Sequence, residues 1–201
     1  ACFVAAVLMV KDRRDASHVS VAVALPKLGA SAVAAQQAAN ENVADADDHG
    51  RVDEILDRLV AHHANPLPPE ERNPQALTRF EPYVGVPVKK SALMMLRGMG
   101  SPATFDGARI HPIRVQRGED HKNCAALQYK MQGHRLTVYM FDPRLVPLPK
   151  TKLVPRRVQD DAVYVGRVRG FSFAAAEKRG VTYALASDLD EDRNVQMVAS
   201  F

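Results

Sequence analysis

An α+β fold, with N-terminal helices packed on an antiparallel β-sheet built from hairpins and a short C-terminal helix, follows from three observations on this 201-residue sequence. The dipeptides Gln132-Gly133 and Arg179-Gly180 separate short apolar runs in the manner of two-residue hairpin turns. Apolar residues recur at helical spacing before those runs and again after them. Thirteen prolines, eleven glycines and no tryptophan suit short elements joined by many turns.

The elements follow in chain order. The opening ACFVAAVLMV is uniformly apolar and stops at Lys11-Asp12-Arg13-Arg14-Asp15. A bilayer crossing takes about 20 such residues, so residues 1–18 are read as the end of a membrane helix or an apolar N-terminal segment. No basic stretch and no A-x-A site accompany the run, so a complete signal peptide is not expected. Residues 19–50 are read as a linker or peripheral segment. Val19–Leu25 alternates like a short strand, and Gly29–Gly50 lacks large apolar residues for a core.

Residues 51–201 are expected to form the main domain. Asp53 suits a helix cap, and Ile55, Leu56, Leu59 and Val60 make an apolar stripe that Asn65-Pro66 must end. Asn73-Pro74 opens a second helix carrying Ala76, Leu77 and Phe80, expected to stop before Pro82. Both helices should pack on one face of the sheet. Strands are predicted over Val86–Leu96, Ala108–Val115, Ala125–Met131, Arg135–Phe141, Ala162–Val168, Gly170–Glu177 and Val181–Ser187. Four prolines within Asp142–Asp160 predict an extended, solvated connection. The acidic run Asp188–Asp192 predicts a last helix, capped by Ser187 or Asp188 and packed through Val195, Met197 and Val198.

Charge and composition narrow the function classes. With 27 basic and 23 acidic residues the net charge is +4, too mild for a nucleic-acid footprint. The nearest basic cluster, Lys150, Lys152, Arg156 and Arg157, reads as a solvated loop. Two distant cysteines, Cys2 and Cys124, exclude a disulfide framework. The best metal constellation is His121, Cys124 and His134. A hairpin would put Cys124 and His134 at opposite ends of a strand, too far apart for shared ligation, so Cys124 reads as a small buried hydrophobe. His62-His63 closes a helix, where a histidine can meet the negative dipole end. Ser187 beside Asp188 lacks the spacing of a hydrolase nucleophile, the carboxylates at Asp160-Asp161 and Asp188–Asp192 sit in polar loops, and no Gly-rich phosphate loop is present. No catalytic, cofactor-binding or metal residue is assigned, and an enzyme is not expected.

The order of motifs from Asp53 to Asp190 resembles the extracytoplasmic region of bacterial transmembrane anti-sigma factors. The pieces are VDEILDRLVAHHANPLP, ALTRFEPYVGVPVK, GARIHPIRV, AALQYKMQGHRLTVYMF and RGFSFAAAEKRGVTYALASDL. The ending G-x-T-Y-A-x-x-S-D-L is the most specific of them. Three departures stand out. The family's zinc-binding H-x-x-x-C-x-x-C segment and its cytoplasmic domain are not in this sequence. Ala174–Ala176 stands where many relatives carry a tryptophan. Gly29–Gly50 and Asp142–Asp160 look like insertions. The resemblance implies a signal-receiving or protein-binding domain on the periplasmic side of a bacterial inner membrane. It would be held by a single-pass helix ending near Val10 and relay a signal to transcription. The implied partners are proteins, including a sigma factor reached through the missing cytoplasmic part, with no nucleic acid. The alternative is a docking subunit of an envelope assembly that uses the same domain.

Overall fold

The computed structural model describes residues 49–88, 103–113 and 122–201, all within the compact unit Asn40–Phe201. The run before residue 49, the segments 89–102 and 114–121, and with them Cys2, His121 and the strand expected at Val19–Leu25, lie outside the described residues.

The apolar stripe around Leu56 lies on a helix over residues 49–64, α1. Asp53 is inside this helix and not its cap. Its carboxylate accepts from the Lys152 backbone N–H at 2.9 Å, tying the helix to a distant loop. The helix ends where expected, at Asn65 before Pro66. Asn73 caps a 3-10 helix, Pro74–Phe80, that runs into α2, Glu81–Val84. The chain does not stop before Pro82, because a proline in the first turn of a helix forfeits no intrahelical hydrogen bond. Gly85, at φ 74°, ends it.

Among the described residues, seven antiparallel strands form one sheet: β1 Thr104–Ile113, β2 Lys122–Met131, β3 His134–Phe141, β4 Val154–Val158, β5 Asp161–Val168, β6 Phe171–Lys178 and β7 Val181–Ser187. Their spatial order is β1-β2-β3-β7-β6-β5-β4, two meanders joined along β3 and β7. Both predicted hairpin turns are present, with Gln132 and Gly133 and then Arg179 and Gly180 at positive φ. Of the strand expected at Val86–Leu96, residues 86–88 are not strand and the remainder lies outside the described residues.

The connection Asp142–Asp160 departs from the extended, solvated path. It makes two 3-10 turns, Pro143–Leu145 and Leu148–Lys150, then β4, and buries Val146, Leu148 and Leu153. Its prolines sit where an N–H is dispensable: in first turns, and at Pro155 on an outermost strand.

Neither face of the sheet is left bare. Leu136, Val138 and Met140 of β3 point into a cluster with Leu77, Phe80 and Val84, joined by Val195, Met197 and Val198 of the last helix, α3 (Glu191–Ala199). The alternate residues Tyr139 and Phe141 point the other way, into a cluster with Val52, Ile55, Leu56, Leu59 and Val60 of α1. The two N-terminal helical segments therefore lie on opposite faces and not on one. Burial on both sides turns the central strands into nearly continuous apolar runs. Alanines at positions 174–176, 184 and 186 keep the middle of the sheet low, leaving room for helices to approach.

The cap of α3 is Asp190, whose carboxylate accepts from the Arg193 N–H at 2.8 Å, in place of Ser187 or Asp188. Ser187 is buried instead. At Gly107, φ is 149° and a built Cβ would lie 2.3 Å from the Cβ of Pro69. The bare backbone lets Glu70 and Glu71 hydrogen-bond to Ala108 along the rim of β1, beside a bulge between Phe105 and Gly107.

Candidate functional site

The last turn of α1 carries the two adjacent histidines, and the sheet meets both. His62 and His63 are 6% and 1% exposed. Nδ1 of His62 lies 3.0 Å from the hydroxyl of Tyr139 on β3, and Nδ1 of His63 lies 2.9 Å from the hydroxyl of Thr137, two residues earlier on that strand. His111 of β1 stacks on His62 with ring centroids 4.4 Å apart, and Phe171 of β6 meets His63 edge-on at 5.0 Å. Three strands thus converge on one helix end.

The hydrogen bonds fix the chemical state of His62. The Tyr139 hydroxyl has one proton and donates it to the carbonyl of Leu59 at 2.6 Å. Its oxygen must then accept from His62, so Nδ1 carries the proton and Nε2 holds a bare lone pair. That Nε2 is buried and meets no protein hydrogen-bond partner. Burial is the main reason the pKa of His62 falls to about 4, and the positive fields of His111 and Arg109 push the same way. Burial likewise brings His63 to about 4, with Arg135 adding to the fall and Asp188 opposing it. His111 is lowered too, by burial and then by Arg109.

Both helix-end histidines are therefore neutral at pH 7, and neither meets the dipole as a cation. Arg135 does so instead, donating from Nη1 to the carbonyls of His63 and Ala64 at 3.2 and 3.4 Å. Two hollows flank this helix end. A groove of about 520 Å³ is lined by Arg58, Ala61, His62, Asn65, Leu67, His111 and Pro112. A smaller basin of about 300 Å³ lies between His63, Lys130, Arg135, Phe171 and Asp188.

The residues weighed in the sequence fall elsewhere. Cys124 is fully buried near the start of β2, its thiol pushed up by burial and in contact with the His111 carbonyl at 3.5 Å. His134 stands at the far end of the hairpin, beside the turn, with Nδ1 3.1 Å from Asp188. The strand separates them as its geometry requires. Ser187 gives its proton to Asn194 at 2.7 Å and accepts from the Leu189 N–H, so it is a packing hydroxyl. Lys152 and Arg156 of the basic cluster pair with Asp57 and with Glu191 and Asp192. Among the described residues no group of three His, Cys, Asp or Glu side chains converges in metal-binding fashion, and no helix is long and apolar enough to cross a membrane.

The sequence offered one hint of the site, the doublet His62-His63 in a helix whose buried stripe runs into it. The partners Thr137 and Tyr139 are more than seventy positions away, and no local spacing links them. Compared with known proteins, the chain matches no family model, no curated protein and no solved structure.

Proposed function

We propose that this chain is the extracytoplasmic sensing or protein-binding domain of a single-pass membrane regulator of the anti-sigma type, whose sigma-binding portion is not part of this sequence. In this reading the N-terminal helices packed on the sheet connect it to a membrane helix ending near Val10. The observation that supports it most is where the motifs of the resemblance fall in the fold. GARI begins at the close approach of Gly107 to Pro69, GHR starts in the β2–β3 turn, and TYALASDL runs along β7 up to the cap of α3. These are the joints that specify a chain path, so a shared motif order argues for a shared domain. The polar groups at those joints are spent on turns and helix attachment.

The test is a topology fusion of the natural gene product with alkaline phosphatase placed after Phe201, together with affinity capture of the whole protein. Phosphatase activity in intact cells and recovery of a sigma factor are expected. A full-length fusion that stays inactive in intact cells would sink the membrane reading.

A docking subunit of an envelope assembly is the second reading. It draws on β4, an outermost strand of the sheet whose Val154 is 62% exposed. Size-exclusion chromatography of the natural complex separates the two, since an assembly subunit elutes with several different partners.

A further inference from the structure

The buried lone pair on His62 Nε2 has no protein partner, which is costly for a polar atom withdrawn from water. The proton on the other ring nitrogen is committed to Tyr139, because that hydroxyl is committed to Leu59. His62 therefore has only an acceptor to offer. The His62 side chain forms part of the wall of the 520 Å³ groove, with Nε2 just beneath that surface; its other sides are apolar in Ala61, Leu67 and Pro112 and polar in Arg58 and Asn65. That size and mixture match the hollows in which proteins hold small molecules.

We propose that this groove is a binding site for a small uncharged molecule with an apolar body and a hydroxyl or N–H, which donates a hydrogen bond to His62 Nε2. Charge selects this class. A cation, metal ions included, would meet the Arg58 guanidinium in the lining of the groove and the nearby Arg109, whose field its partner Glu70 only partly offsets. An anion without an O–H or N–H of its own brings no proton to a lone pair. A neutral donor meets neither obstacle. Nε2 is closed to solvent, and the neighbouring His111 ring, 4.4 Å from that of His62 and lining the same groove, is only half-buried. Entry of the ligand therefore turns the His111 ring aside, and occupancy is read at both imidazoles. The groove stands on its own geometry, whether or not the domain serves a membrane regulator.

Phenol and anisole have nearly the same shape, and only phenol has a proton to donate. Titration of the ¹⁵N-labelled chain, followed at the histidine ring nitrogens, should show phenol moving the His62 Nε2 and His111 signals. Phenol should bind about tenfold tighter than anisole, the margin expected when a buried acceptor is satisfied by one ligand and left bare by the other. Ala61→Trp, which fills the groove from a partly exposed position, should abolish both effects, and Leu67→Arg serves if that variant does not fold. Equal binding of the two probes, no binding of either, or persistence of the response in a folded groove-filling variant overturns the proposal. So does zinc ion alone moving the two histidine signals where phenol does not.

Discussion

The two helices that close the faces of the sheet are fastened by different chemistry. On one face, the buried hydrogen bonds of α3 join neutral groups, its ion pairs lying at the surface: Asn194 donates to the Ser172 carbonyl at 3.0 Å and accepts from Ser187 at 2.7 Å. On the other, α1 is held by histidines on Thr137 and Tyr139. Amides and hydroxyls keep their charge state across the whole accessible pH range, whereas an imidazole changes its own near neutrality. One sheet thus carries a helix whose buried hydrogen bonds ignore acidity and a helix whose buried hydrogen bonds depend on it.

Acidification exposes this difference most strongly. His62 and His63 have pKa values of about 4 in the fold, against 6.5 in an unfolded chain. Between those limits the unfolded state binds more protons, so their contribution to stability is fullest above pH 6.5, falls as the pH drops toward 4, and levels off below that. The loss approaches about 3 kcal/mol for each histidine. Hydrogen exchange should show the amides of α1 losing protection before those of α3. Simultaneous loss would erase the distinction.

Mutation grades the rest of the comparison. Leu56→Ala removes a fully buried side chain from the α1 face and should cost about 2–5 kcal/mol in urea denaturation, with no change in the pH profile. Asn194→Ala leaves the Ser187 hydroxyl and the Ser172 carbonyl without their partner and should cost about 1–3 kcal/mol, equally at pH 7 and pH 5. A cost that varied with pH would contradict the neutral fastening of α3. The smallest effect belongs to Arg156, which bridges β4 to Glu191 and Asp192 at the protein surface. Arg156→Ala should cost under about 1 kcal/mol, and less still in high salt.

What the residues disclosed in advance was local. The hairpin turns are written in adjacent residues, since Gly133 and Gly180 permit a backbone most side chains resist. The stripe of α1 and the apolar side of α3 are periodic within one element. The face that each helix chooses is set by contacts across the chain, and the helices were wrongly expected on one side. β4 escaped notice because Val154–Val158 is mostly exposed, contains a proline and alternates with nothing. The histidine pair was visible as a doublet, yet its neutral state depends on Tyr139, Thr137 and His111, which only the folded sheet brings to it.

The seam between β3 and β7 carries a consequence for biosynthesis. Leu136 meets Ser187 and Phe141 meets Thr182, residues that leave the ribosome far apart in time. Until β7 emerges, β3 presents an apolar border with unpaired backbone groups, the kind of surface that sticks to other chains. Newly made protein is therefore most vulnerable to aggregation during that interval, and the closing of the seam sets the pace at which it becomes safe.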